Sequence, residues 1–158
     1  MVTLRPATDD DAPAIADIWR AGWADGHLGN VPDALVAIRT PESFSIRAVE
    51  GLAHTTVALV GEVVAGFVTV VDDEVEQVYV AAAHRGSGVA GLLLAEGERL
   101  VSAEGYREAW LAVAPGNARA RGFYERSGWS DAGLFDYPAV TADGPIPVPC
   151  HRYVKAVG

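Results

Sequence analysis

The stretch His84-Arg85-Gly86-Ser87-Gly88-Val89-Ala90-Gly91 lies between a strand-like run, Glu74–Ala81, and a helical stripe of Val89, Leu92, Leu93, Leu100 and Val101 that ends at Gly105. A strand that turns through glycines into a helix leaves several backbone N–H groups unpaired and pointing the same way. Together with the positive end of the helix dipole, those donors form a site for a phosphate or pyrophosphate. Glycine is needed because a Cβ would obstruct a left-handed turn and the close approach of backbone to ligand. The segment therefore names a class of ligand before it names a reaction.

The elements on either side of this loop predict the fold. Thr55–Val60 and Val63–Val71, joined by Gly61-Glu62, read as a β-hairpin, and Asp72-Asp73 turns the chain into Glu74–Ala81. Three strands thus meander antiparallel into the loop. Further upstream, Thr3–Thr8 reads as a first strand and Thr8–Asp11 as N-cap chemistry for a helix with Pro13 in its first turn. Ile15, Ile18 and Trp19 trace its apolar face up to Gly22-Trp23, where glycine is expected to end it. Ala24–Val31 reads as a loop, followed by short helices at Pro32–Ile38 and Pro41–Glu50, the second capped by Thr40. Downstream come a strand at Glu108–Ala114, a helix at Asn117–Ser127 closed by Gly128, and strands near Trp129–Phe135 and Val148–Val154. Condensed to βααβββαβαββ, the order predicts an α/β fold. It is one domain over residues 1–158, with a mixed, largely antiparallel sheet and helices on both faces.

Composition limits the partners. The net charge is −9, with Lys155 the single lysine against eleven arginines, and an acidic surface repels a nucleic-acid backbone. A phosphorylated small molecule still binds well, because backbone amides act locally. No apolar run reaches the ~18 residues of a membrane helix, and Met1–Pro6 shows strand patterning in place of a signal peptide. Cys150 is the only cysteine, so nothing calls for an oxidising compartment. These observations imply a cytoplasmic protein with no nucleic-acid or membrane partner. The four histidines, His27, His54, His84 and His151, lack metal-ligand spacing, so no metal is expected.

Two ligand classes could own the glycine loop. Gly86-x-Gly88-x-x-Gly91 matches a dinucleotide fingerprint, but that motif belongs after the first strand of a βαβ series with an acidic residue ~20 positions on. Here it follows a meander, and the next strand ends in Ala112-Val113-Ala114-Pro115 without a carboxylate. A nucleoside-triphosphate loop is excluded by the absence of Gly-Lys-Ser/Thr. Taken as Arg85-x-x-Gly88-x-Ala90 after Val78-Tyr79-Val80, the same loop resembles the pyrophosphate loop of the GCN5-related N-acetyltransferase (GNAT) family. A second match, Asn117-Ala118-Arg119-Ala120-Arg121-Gly122-Phe123-Tyr124-Glu125-Arg126-Ser127-Gly128-Trp129, is similar to that family's Asn-x-x-Ala-x-x-Phe-Tyr-Glu-x-x-Gly-Phe/Trp motif. The opening Leu4-Arg5-Pro6-Ala7-Thr8 and the closing His151-Arg152-Tyr153 are also typical of it, and the resemblance is densest over residues 74–130.

The resemblance implies acetyl transfer from acetyl-CoA to an amine by direct transfer in a ternary complex. It places the pyrophosphate on the N–H groups of Arg85, Gly86, Ser87, Gly88, Val89 and Ala90. The pantetheine arm would run between the strand carrying Val78, Tyr79 and Val80 and the diverging strand Glu108–Ala114, meeting Asn117, Ala120, Phe123 and Tyr124. Asn117 would also cap its helix, Phe123 would also belong to the core, and Tyr124 matches the tyrosine that protonates the departing thiolate. Glu74 and Glu76 share a strand face and are the candidate bases, directly or through water. Some members carry the base on the next strand, where this chain has Ala112. Trp23 and His27 fall where the family builds its acceptor pocket. The acceptor is expected to be a primary amine on a small molecule. A peptide acceptor, a non-catalytic acyl-CoA sensor and a homodimer all stay open.

Overall fold

The hairpin at Gly61-Glu62 joins β2 (Thr55–Val60) to β3 (Val63–Val71) in the computed structural model of residues 1–158. Asp72, with φ of 54°, turns β3 into β4 (Glu74–Val80). β1 (Val2–Pro6) pairs with β2, and β5 (Glu108–Val113), β6 (Ser130–Ala139) and β7 (Ile146–Ala156) complete a seven-stranded sheet of order β1-β2-β3-β4-β5-β7-β6. Every neighbouring pair is antiparallel except β4 and β5. The helices are α1 (Ala12–His27), α2 (Asp33–Ile38), α3 (Pro41–Glu50), α4 (Val89–Ala103) and α5 (Ala118–Arg126). The elements follow the expected order, and the two short helices expected at Pro32–Ile38 and Pro41–Glu50 are α2 and α3.

Alternation along the strands divides the apolar side chains between two faces. On one face Val68, Val75, Leu111 and Tyr153 pack against Leu93, Leu94 and Val101 of α4. On the other, Val57, Phe67 and Val148 meet Ile15, Trp19 and Trp23 of α1 and Phe44 of α3. The start of α1 is fixed by buried Asp11, which accepts from the Thr8 backbone N–H at 2.8 Å and from both Arg5 guanidinium nitrogens at 2.7 and 3.0 Å.

The first helix differs from expectation. It does not stop at Gly22 but continues into the first half of the expected loop, Ala24–Val31, and ends at His27. A Cβ on Gly22 would lie 2.4 Å from the Tyr79 ring, and one on Gly26 would lie 2.6 Å from the Asn117 side-chain nitrogen. These glycines permit close approach of α1 to β4 and to the start of α5. Packing there outweighs the ~1 kcal/mol that a helical glycine costs.

The last two strands are also longer than their apolar runs suggested. β7 pairs with β5 only over His151–Ala156, while Ile146–Cys150 pairs with β6 alone. Pro147 and Pro149 are tolerated because that stretch has no neighbour on its β5 side, and Pro138 because β6 is the sheet edge. The β6–β7 hairpin thus overhangs the end of β5. No helix is long and apolar enough to cross a membrane.

Candidate active site

A single backbone register position, Glu74 opposite Trp110, joins β4 to β5. Trp110 reinforces it by donating its backbone N–H to the Asp73 carbonyl and its indole N–H to the Asp73 carboxylate, each at 3.0 Å. Immediately beyond, Val75 pairs with Val70 and Gln77 with Thr69, so Glu76 is an extra residue in β4, a β-bulge. The strands then splay apart. Their separation opens a cleft of about 680 Å³ between Val78, Tyr79 and Val80 of β4 and Leu111, Ala112 and Val113 of β5. Backbone groups that a neighbouring strand would have bonded face this gap.

The glycine loop closes one end. Gly86 and Gly88 have φ of 77° and 86°, Gly88 is the N-cap of α4, and no atom lies within 4 Å of a Cβ built on either. His84 and Arg85 beside the loop, and Arg119 and Arg126 of α5, also line the cleft. The Arg85 guanidinium is turned to Asp25 of α1 at 2.7 Å, which ties the loop to that helix. Gly86, Gly88 and Ala90 line the cleft, but Ser87 and Val89 do not. The Ser87 hydroxyl turns back onto the His84 carbonyl, and the Val89 side chain is buried in the α4 core.

The start of α5 forms the opposite wall. Asn117 caps the helix by accepting from the Ala120 N–H at 3.2 Å, and Asn117, Ala120, Phe123 and Tyr124 all line the cleft. Phe123 and Tyr124 also pack against the α4-side core. Burial alone pushes the Tyr124 phenol up to about 12, and no hydrogen bond opposes that shift. The Tyr124 ring is 6.3 Å from Trp129 and 6.1 Å from Tyr153.

The remaining end is acidic, since Glu74 and Glu76 both line it. The Tyr137 hydroxyl, on the overhanging part of β6, donates to Glu74 Oε2 at 2.6 Å. Burial raises the Glu74 carboxyl to about 7; the Tyr137 bond opposes this, while Glu76 and Asp73 add repulsion. Burial also raises Glu76, against the field of Arg47 and His54. Burial and the neighbouring carboxylate raise the Tyr137 phenol far above neutrality, so it stays a donor. His27 lines this end, and desolvation lowers its pKa, which keeps it neutral. Trp23 stacks on His27 at 4.9 Å, yet its own ring belongs to the α1-side core and not to the cleft wall. Cys150 also lines this end, and burial pushes its thiol up to about 11.

Tyr137, Arg119 and Arg126 went unsingled in the sequence reading. The two arginines lie inside the motif at residues 117–129, whose helical spacing could have placed them. Tyr137 has no local signal, because a strand contact 63 positions away brings it to Glu74.

Comparison with known proteins bears on this geometry. Among curated proteins none matches the chain by sequence. Solved structures share its fold throughout. An N-acetyltransferase from Staphylococcus aureus Mu50 is 20% identical, covers 100% of this chain and 99% of its own, and superposes with a TM-score of 0.75. The paia N-acetyltransferase from Thermoplasma acidophilum, solved in complex with coenzyme A, is 15% identical with 99% of both chains covered and a TM-score of 0.68. The yncA protein from Salmonella typhimurium, solved with its cofactor acetyl-CoA, is 16% identical over 100% of this chain and 95% of its own, with a TM-score of 0.71. The sequence model of the Acetyltransferase (GNAT) family matches residues 14–129, which carry the splayed strands, the glycine loop and the α5 motif alike. The chain therefore belongs to the GNAT family of acetyltransferases.

Proposed function

We propose that the protein moves an acetyl group from acetyl-CoA to a primary amine on a small molecule, directly, with both held in the cleft. The observation that carries this reading is the splaying of β4 from β5 over a glycine turn that opens onto the N-terminus of α4. The residues present fit the cofactor. The backbone of Gly86, Gly88 and Ala90 has room to meet a pyrophosphate, with Arg119 and Arg126 adding positive charge nearby. The open edges of Val78–Val80 and Leu111–Val113 offer hydrogen bonds to an arm that carries amides. When bound, acetyl-CoA supplies an activated acetyl thioester.

The protein's own groups then manage protons. An amine with a pKa near 10.4 is mostly protonated at neutral pH and must lose a proton to attack. Glu74, raised to about 7, is matched to accept that proton at physiological pH, and Tyr137 holds its carboxylate in place. Glu76, on the bulge, is the alternative base or the anchor of a water relay. Tyr124 faces the cleft, and burial raises its phenol to about 12, so it stays protonated and is available as a donor to the departing sulfur. Its contribution is a hydrogen bond to the leaving sulfur, strengthening as negative charge develops there. The test is thiol release from acetyl-CoA across polyamines, aminoglycosides, amino acids and peptides. Turnover of small amines supports the reading. Turnover confined to peptides, or tight coenzyme A binding with no turnover, would replace it.

A further inference from the structure

The overhanging part of the β6–β7 hairpin gives the acceptor end of the cleft its chemical character. Tyr137 lies directly opposite Val148 across the hairpin, and side chains two apart on a strand share a face. Tyr137, Ala139, Val148 and Cys150 therefore lie on one face, and all four line the cleft. The Tyr137 hydroxyl is bonded to Glu74. Ala139 stands two residues farther along the strand, a step of about 7 Å. Leu35 of α2 lines the cleft as well. Leu35, Ala139 and Val148 are each more than nine-tenths buried and belong to the α1-side core. Here the cleft is walled by core side chains.

Charge is confined to one part of this end. Glu74 and Glu76, both on β4, are the only acidic residues on the cleft. Its arginines, Arg85, Arg119 and Arg126, belong to the glycine loop and to α5. An ammonium group at the glutamates is matched. A second charge of either sign beside Leu35, Ala139 and Val148 would have no partner, and burying an unpaired charge is heavily disfavoured. The apolar wall also continues outward. Ile38 follows Leu35 by three residues on α2, one helical turn, and Val140 follows Ala139. Ile38 and Val140 are 37% and 77% exposed, and the Arg39 guanidinium joins their two segments by donating to the Val140 carbonyl at 3.1 Å. Exposed apolar side chains continuous with a cleft wall mark where the apolar part of a ligand emerges.

We propose that the acceptor carries a single ammonium group on an apolar body, as an alkylamine or arylalkylamine does, that Leu35, Ala139 and Val148 receive that body, and that Ile38 and Val140 flank its exit. This inference rests on the acetyl-transfer reading and narrows its substrate class. The experiment measures kcat/KM by thiol release from acetyl-CoA with ethylamine, butylamine, hexylamine and octylamine. Hexylamine is then compared with 1,6-diaminohexane and 6-aminohexanoate, which differ from it by a charge at the far end. The wild-type protein is expected to gain about 2- to 4-fold per added methylene, as burial of each CH2 implies. Hexylamine should exceed both doubly charged acceptors by at least about tenfold. Leu35→Ser should flatten the climb with chain length, and Val140→Ser, at an exposed position, should reduce the advantage of octylamine over hexylamine. Circular dichroism and thermal melting check that each variant is folded. Should Leu35→Ser not fold, the wild-type series and Val140→Ser decide the matter. A series that is flat with chain length, equal or better turnover of the diamine or the aminohexanoate, or a climb that survives a folded Leu35→Ser overturns the inference and leaves acetyl transfer standing. Absence of thiol release with every amine, in this series and in the wider panel alike, overturns both.

Discussion

Replacing Tyr137 by phenylalanine deletes one oxygen and tests the proton-accepting role of Glu74. The hydroxyl donates to Glu74 Oε2 at 2.6 Å, the short separation of a charge-assisted bond. Such bonds contribute about 1.5–3 kcal/mol, and for a half-buried carboxylate the lower half of that range applies. Since a tenfold change in acidity is 1.36 kcal/mol, removing the bond should lift the Glu74 carboxyl by a little over one pH unit, from about 7 to above 8. The direction is unambiguous. Burial, Glu76 and Asp73 all raise this group, and without Tyr137 only the field of Arg152 opposes them. A base must be ionised to work, so the acidic limb of kcat/KM should move upward by the same amount. Activity should fall about tenfold at pH 7 and little at pH 9.5. The assay is thiol release between pH 5.5 and 9.5 with one acceptor, whose own amine titrates identically in both proteins. A limb that does not move would remove Glu74 as the titrating base. A uniform loss at every pH would assign Tyr137 to binding instead.

Three further predictions concern other parts of the molecule. Gly88→Val forces a β-branched residue to φ of 86° and places a side chain over the end of α4. It should cost about 1–2 kcal/mol of stability and abolish coenzyme A binding in calorimetry; retained affinity would contradict the loop assignment. Tyr124→Phe should lower kcat by roughly 100-fold while the coenzyme A Kd stays within about twofold, and an unaltered rate would remove Tyr124 from the chemistry. Asp11→Ala deletes the acceptor of both the Arg5 guanidinium and the Thr8 N–H and should destabilise the fold by about 2–3 kcal/mol in denaturant titrations at pH 7. The Arg5 hydrogen bonds hold the folded Asp11 carboxyl below its ordinary value. Its contribution is therefore complete above about pH 4 and is lost as pH falls through the folded pKa. The gap between wild type and variant should shrink at pH 3, and a constant gap would refute the linkage.

The parts of the fold legible in the sequence are those governed by local chemistry. Thr40 before Pro41, the Asp72-Asp73 turn and the glycines at 86 and 88 each act within a few residues, and the elements around them fall where expected. Gly22 shows the limit. Read locally it stops a helix, whereas in the molecule it makes room for a tyrosine 57 positions away, and nothing near it in the chain reveals that partner. The candidate site divides in the same way. Asn117, Ala120, Phe123 and Tyr124 lie on one short helix, so their spacing alone sets a common wall. The acceptor end is assembled from α1, α2, β4 and the overhanging β6–β7 hairpin, which converge only through tertiary packing. Hence Tyr137 went unread, and Trp23, four residues from His27, turned to the core while His27 turned to the cleft.

The single register position between β4 and β5 also shapes how the molecule opens. On the α4 face one continuous apolar core, including Val68, Val75, Leu111 and Tyr153, binds the two halves of the sheet together. On the backbone level only Glu74 opposite Trp110 does so. The halves therefore resemble the covers of a book whose spine runs along α4, and the least costly sub-global fluctuation parts them at the cleft. A ligand spanning both covers works against that motion, by about 2.7 kcal/mol at a hundredfold excess over Kd. Amide hydrogen exchange at the middle of this sheet, ordinarily its best protected region, then becomes a gauge of cofactor occupancy.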